Sequence, residues 1–155
     1  MRRQAGFTIV EVMIIVTIIG VLAALTLPSI RANTVRTKMA EALLAFTPCR
    51  AAVTEVYEGG GDAPADGIWG CEIAQDASQY VDSVKVDDFG KITIVLHGFV
   101  DPRIDTKDLT MQALDNTGSI PSGNGAPVRR WRCGSIADGT DATLMPYLPG
   151  TCRGG

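Results

Sequence analysis

The sequence predicts an α+β chain: a long amino-terminal helix, half apolar and half amphipathic, followed by four β-like runs and a carboxy-terminal region bounded by cysteines. Three observations predict it. Phe7 to Leu27 form a nearly unbroken apolar run, and Met39, Leu43, Phe46, Val53 and Tyr57 then recur near helical spacing. From Tyr80 onward, short runs rich in β-branched residues alternate with turn-forming Gly, Pro, Asp and Asn.

As a helix rising about 1.5 Å per residue, Phe7 to Leu27 reaches about 30 Å, the thickness of a bilayer core. Arg2 and Arg3 before it predict that this end stays cytoplasmic while the bulk of the chain crosses. An ordinary secretory signal places small residues and its cut after the apolar run. Here Leu27 leads into Pro28, Ser29, Ile30 and Arg31, and the short basic stretch MRRQAG in front is the more natural removable piece. A cut after Gly6 leaves the helix intact and creates a free amine at Phe7.

Glu11 lies within the apolar run, where a carboxylate costs several kcal/mol unless it finds a partner, a proton or water. One reading keeps Glu11 hydrated near the interface. The other pairs it with the Phe7 amine one helical turn away, on its own chain or on a neighbour in a bundle. Gly20 lowers helix propensity, and Pro28 has no N–H for the Ala24 carbonyl, so a kink is expected between them.

The helix is expected to continue amphipathically after Pro28, with Arg36, Lys38, Glu41, Arg50 and Glu55 directed away from the apolar stripe. Pro48 interrupts that pattern; Thr47 is the expected cap of a restarted segment with Pro48 in its first turn. EGGGDAP, Glu58 to Pro64, ends the helix. A connecting loop follows, and then YVDSVKV and KITIVLHGF flank a hairpin turn at Asp87 to Gly90. DLTMQAL, Asp108 to Leu114, reads as a third strand and PVRRWRC, Pro127 to Cys133, as a fourth.

The formal charge of −3 argues against nucleic-acid binding by bulk charge. The four cysteines, Cys49, Cys71, Cys133 and Cys152, form no C-x-x-C pair, which disfavours zinc and thioredoxin-like chemistry. Their even number fits two disulfides in an oxidising compartment. Three connectivities are open, and chain proximity favours Cys49–Cys71 and Cys133–Cys152. Closing the latter loop contributes roughly 3 kcal/mol in the chain-entropy model.

RRWR, Arg129 to Arg132, suits a nucleic acid or a glycan, with arginines for charge and Trp131 for stacking. Period-two alternation puts Trp131 and Cys133 on the core face and leaves Arg130 and Arg132 solvated as candidate surface-binding residues. His97 is the sole histidine and has no triad partners in the pattern. DFG (Asp88 to Gly90), DGTD (Asp138 to Asp141) and SGNG (Ser122 to Gly125) read as turns or loops. No catalytic residue, metal or cofactor is expected.

GFTIVEVMIIVTIIGVLAALTLP, with Gly6 before the cut, Phe7 as the new terminus, Glu11 four residues on, then Gly20 and Pro28, resembles the amino terminus of type IV pilins, especially the type IVa class. The resemblance implies that prepilin peptidase cleaves after Gly6 and methylates the Phe7 amine. It also implies that Glu11 pairs with a neighbouring subunit's Phe7 amine during assembly, and that the helix loosens between Gly20 and Pro28. The later order of elements resembles the pilin head, in which the helix packs on a four-stranded antiparallel sheet. WRCG and YLPGTC resemble the ends of its disulfide-bounded region. Pro48 departs from the uninterrupted helix of the family.

The implied segments are a leader, 1–6; a transmembrane and filament-core helix, 7–28; an amphipathic half, 29–58; an αβ loop, 59–80; a sheet, 81–133; and a carboxy-terminal region, 133–155. The implied function is that of a major type IVa pilus subunit serving adhesion, twitching motility and DNA uptake. The implied partners are other pilin subunits, prepilin peptidase, the inner membrane and its pilus assembly platform, and a host surface or DNA. The precursor is expected in the inner membrane with a periplasmic head, and the assembled subunit in a cell-surface pilus. A minor pilin, a type II secretion pseudopilin and a DNA-binding competence pilin are the alternatives.

Overall fold

The computed structural model describes residues 6–60, 62–121 and 126–154, with the side chains of 26–32 outside this set. The elements are α1 (Ile9–Leu44), α2 (Phe46–Gly59), β1 (Val81–Val86), β2 (Ile92–Leu96), β3 (Asp108–Leu114) and β4 (Arg130–Cys133), followed by two short 3₁₀ turns, Ile136–Asp138 and Ala142–Leu144. They fall into two compact units, Met1–Thr34 and Val35–Gly155.

The first unit is helical from Ile9. Its apolar side chains between Phe7 and Leu25 are exposed, including Ile14, Ile18 and Leu22. The hydroxyl of Thr17 donates to the carbonyls of Met13 (3.1 Å) and Ile14 (2.8 Å), so this polar group is satisfied within the helix itself. Among the described residues, no helix is long and apolar enough to cross a membrane. Thr26 and Leu27, which complete the apolar run in the sequence, lie outside the described side chains.

In the second unit the strands follow one another across the sheet in the order β1-β2-β3-β4, and each adjacent pair is antiparallel. The helical residues Met39, Ala42, Phe46, Cys49, Val53 and Tyr57 are buried. Their spacing of three and four places them along one side of the helices, and the small Ala42 and Cys49 complete the stripe expected from the larger residues. Leu43 is only half buried. The sheet contributes Val81, Val84, Val86, Ile92, Ile94, Leu96, Leu109, Met111, Ala113 and Cys133 to the same hydrophobic cluster. This is the helix-on-sheet α+β architecture expected from the sequence.

The helix restarts earlier than expected. Ala45 separates α1 from α2 and has no side-chain cap; Thr47 lies inside α2, so it is not the capping residue. Pro48 has no N–H to offer the Leu44 carbonyl, and at the break the Ala45 amide donates to Ala42, three residues back (3.1 Å). At the far end Gly60 takes the left-handed conformation, φ 72°, and closes α2.

The αβ loop covers the outer edge of β1. Ile73 and Val84 exchange backbone hydrogen bonds (3.0 and 2.8 Å), and the Gly67 amide donates to Val86 (3.0 Å). Edge coverage of this kind blocks unwanted strand pairing. Trp69, in the same loop, is buried, donates through Nε1 to the Asp87 carbonyl (3.0 Å) and packs against Tyr57. The β1–β2 turn reaches this cluster through Gly90. A Cβ there would meet Val53 Cγ1 at 2.9 Å, and the residue's φ of 70° favours glycine as well.

β4 covers only Arg130–Cys133, four residues, so Pro127 and Val128 are not strand. A proline supplies no ladder N–H, and the preceding loop carries the chain to its first partner, where Arg129 N–H donates to Leu114 (2.9 Å).

Candidate functional site

The amino-terminal segment is shaped by its first helical turn. Gly6, Phe7 and Thr8 precede α1 without regular structure, and Gly6 and Phe7 are exposed. The Thr8 hydroxyl accepts a hydrogen bond from the Glu11 amide (3.3 Å), while the Thr8 carbonyl accepts from Val12 (3.3 Å). Thr8 is thus the helix cap, and Glu11 is the acidic residue of the first turn. A carboxylate there faces the positive end of the helix dipole, which gives Glu11 a favourable setting within its own chain. TIVE, Thr8 to Glu11, follows the capping-box spacing, a local sequence signal for this helix start.

Gly20 lies within α1, with open space where a side chain would stand. Pro28 falls within the range of α1, but its side chain lies outside the described residues. Arg2 and Arg3 of the leader and the SGNG loop also lie outside them.

Two disulfides organise the head. Cys49–Cys71 ties α2 to the αβ loop, with Cα atoms 5.2 Å apart. Beside it the Glu72 carboxylate accepts from the amides of Trp69 (2.8 Å) and Cys71 (3.1 Å), which fixes the loop's bend. Cys133–Cys152 ties the end of β4 to the carboxy-terminal region, with Cα atoms 4.5 Å apart. That region also packs on the sheet through buried Leu144 and Leu148. Polar contacts join it to β3: the Thr110 and Thr140 hydroxyls are 2.7 Å apart, and Asp141 N–H donates to Asp108 (2.9 Å).

The arginine-rich strand differs from its expected layout. Arg130 is exposed, but Arg132 is half buried and bound to Asp138 through Nε–Oδ2 (2.7 Å) and Nη2–Oδ1 (2.6 Å). This pairing raises the Arg132 pKa, chiefly through the side-chain hydrogen bonds. Trp131 is half buried rather than core, and the Arg50 guanidinium lies 5.4 Å from its ring centroid. The alternation itself holds; what the strand pattern lacked was the short Asp138 turn and the Arg50 side chain arriving from α2.

The remaining motifs are engaged in turns and pairs. Asp138 serves Arg132, whereas Asp141 accepts from Thr143 and lies 3.2 Å from Lys107 Nζ, so the two DGTD carboxylates serve different partners. Asp87, next to DFG, accepts from the amides of Phe89 and Lys91 and shapes the hairpin turn. His97 is exposed, just beyond β2. Among the described residues, no group of His, Cys, Asp and Glu could hold a metal.

Comparison with known proteins joins the two halves of this picture. A family profile described as pilin (bacterial filament) matches residues 35–153, and the prokaryotic N-terminal methylation motif matches residues 1–27. The chain belongs to the type IV pilin family. The type IV major pilin protein PilE1 of Neisseria gonorrhoeae is 33% identical over 97% of this chain and 94% of its own length. PilE of the same organism is 35% identical with the same coverage, and a fimbrial protein of Pseudomonas aeruginosa is 29% identical over 98% of each chain. The pilin family is structural rather than enzymatic. In this pilin the methylation motif covers the capped, exposed amino-terminal segment, and the head profile spans both disulfides.

Proposed function

We propose that this pilin is the major subunit of a type IVa pilus. It is held as a precursor in the inner membrane with a periplasmic head, and polymerises with other copies of itself at an inner-membrane assembly platform. Prepilin peptidase cleaves between Gly6 and Phe7 and methylates the new amine. Glu11 then pairs with the Phe7 amine of a neighbouring subunit, and flexibility between Gly20 and Pro28 eases transfer from lipid to filament. Surface adhesion, twitching motility and DNA uptake are the activities such a filament would serve.

The observation that carries this reading is the methylation motif on residues 1–27 in a chain that matches major pilins from end to end. The physical setting supports it. Gly6 and Phe7 are exposed ahead of the helix, within reach of a peptidase, and cleavage there leaves the Thr8 cap in place. Lipid-exposed helices gain little from hydrophobic transfer on packing together, so a charge pair contributes register more than bulk affinity.

Mass spectrometry of protein from sheared surface filaments tests it. The expected species lacks residues 1–6 and carries one methyl group on Phe7. An intact leader in the filaments, or absence of the protein from them, overturns the reading.

A further inference from the structure

We propose that residues 35–44, the part of α1 that belongs to the head unit, form a detachable segment, and that the Cys49–Cys71 disulfide is the stop that keeps its opening from spreading into α2. The proposal goes beyond filament assembly. It concerns how the head yields, and it uses residues with no part in the amino-terminal chemistry.

Anchorage differs on the two sides of Ala45. Within residues 35–44 the fully buried side chains are Met39 and Ala42, and Ala42 has only a methyl group to bury. Val35, Lys38 and Leu43 are half buried, while Arg36, Ala40, Glu41 and Leu44 are exposed. Lys38 adds a contact with the Tyr80 ring, its Nζ 5.0 Å from the centroid. Apolar anchorage scales with the surface removed from water, so Met39 is the main hold on this segment. Past the junction, α2 buries Phe46, Cys49, Val53 and Tyr57, and Tyr57 also packs on Trp69.

The junction itself interrupts an opening. Helix unwinding spreads along the ladder of backbone hydrogen bonds. That ladder has a gap here: Pro48 has no N–H for the Leu44 carbonyl, and Ala45 has no side-chain cap. Cys49 follows Ala45 by about one helical turn and is bonded to Cys71. The loop that carries Cys71 is tied to β1 on both sides of it: Gly67 N–H donates to Val86, and Ile73 and Val84 exchange hydrogen bonds. Trp69 of the same loop is buried. A displacement arriving at Ala45 therefore meets a covalent tie to the sheet edge before it reaches Val53 and Tyr57. The cross-link also removes conformations from the opened state, which disfavours opening beyond it. Met39 and Lys38 can then lift while the rest of the core stays closed. Load on a filament would reach the head through α1, and that consequence alone rests on assembly through the amino-terminal helix.

Hydrogen exchange read by mass spectrometry, on full-length pilin in detergent and on sheared filaments, tests the division. Amides of residues 35–44 should exchange about tenfold faster than those inside α2, or more, by a local opening that low urea leaves unchanged. Met39→Ala should speed exchange in residues 35–44 about tenfold and leave α2 unchanged, while Leu44→Ala, an exposed control, alters neither. The double variant Cys49→Ala/Cys71→Ala, with Cys133–Cys152 intact, should carry the fast exchange into α2 and leave β3 protected. Equal protection of the two stretches in the parent overturns the proposal, as does a Met39→Ala effect that spreads equally to α2. A step at Ala45 that survives in the double variant also overturns it, and so does an equal loss in α2 and β3, which would make the disulfide a global brace. If the double variant fails to fold, the parent treated with a water-soluble phosphine gives the same comparison, read on the species whose thiols label only at Cys49 and Cys71. Because exchange is read on head amides of pilin already made, its failure leaves the assembly reading untouched.

Discussion

Arg132 on β4 holds Asp138 through two charge-assisted hydrogen bonds of 2.7 and 2.6 Å, fastening the turn after the strand to the sheet. Arg132 is cross-strand from Gln112, which is buried in the middle of β3. The pair therefore stands on the sheet face opposite Met111, Ala113 and Trp131, and it fastens the Ile136–Asp138 turn there. Asp138→Ala removes both bonds and leaves a half-buried guanidinium. A loss of about 1–2 kcal/mol is expected in urea denaturation, below the full value of a buried pair because both side chains keep some contact with water. An unchanged midpoint would show that the region is held by Cys133–Cys152 and the leucines alone.

Acid should loosen the same region. Asp141 has its pKa lowered from 3.8 to about 2, first by the Thr143 hydroxyl, then by the Thr143 amide and Lys107. A depressed folded-state pKa contributes stability that is fully present above the unfolded value and is lost as pH falls through the folded one. The urea midpoint should therefore fall between pH 4 and pH 2, and Asp141→Asn should flatten that fall. The flattening is partial, because Asp101, lowered chiefly by its side-chain hydrogen bond from Arg103, and Asp115, lowered chiefly by Thr117, act in the same direction. Identical pH profiles for the variant and the parent would remove Asp141 from this account.

Gly134 tests how tightly the disulfide-bounded region is fitted. Its φ is 72°, and a Cβ would come within 2.5 Å of the Cys152 carbonyl and 2.8 Å of Leu148 Cδ1. Gly134→Ala therefore meets backbone strain and a backbone clash together, with an expected loss of about 2 kcal/mol or more. Gly59→Ala, at a helical position with open space, is the matched control and should cost little.

Much of this was legible from local pattern, and the exceptions share a cause. The β1–β2 turn, β3 and the end of α2 follow from alternation, DFG and the triple glycine, all of which act within a few residues. The Thr47 cap was misplaced because the carbonyl that Pro48 cannot serve, that of Leu44, lies four residues earlier, next to the break at Ala45. Arg132 read as solvated because its partner lies in a turn whose position depends on Cys133–Cys152 and Thr140. Burial of Trp69 left no local trace either, since its partners Tyr57 and Asp87 come from α2 and the β1–β2 turn.

Replacing Pro48 tests that account of the break directly. Pro48→Ala restores an N–H opposite the Leu44 carbonyl; Ala45 already has helical angles (φ −63°, ψ −20°), so the change is read by hydrogen exchange, in which the restored amide should be protected and join α1 to α2. Stability should rise modestly, since the stripe Met39, Ala42, Phe46, Cys49 already keeps helical spacing across the break. If the restored amide exchanges freely, packing of Phe46 or the Cys49–Cys71 bond imposes the break instead of proline.

Thr8 and Glu11 separate two roles that the amino-terminal sequence leaves entangled. As a cap pair they start α1; as an assembly pair Glu11 meets a neighbour's Phe7 amine. Thr8→Val removes the hydroxyl that receives the Glu11 amide, at a cost of about 1 kcal/mol in helix stability, and leaves the carboxylate in place. Glu11→Gln keeps the size and hydrogen-bonding capacity of the side chain but removes its charge. If the charge sets register, Glu11→Gln should be processed normally yet enter filaments poorly beside wild-type subunits, while Thr8→Val assembles to near-normal yield. Both outcomes are read as the ratio of processed to filament-incorporated pilin in co-expressing cells. Equal defects in the two variants would mean that Glu11 acts through helix initiation. Normal incorporation of Glu11→Gln would mean that the filament takes its register from the apolar surfaces of Phe7 to Leu25 rather than from a buried charge.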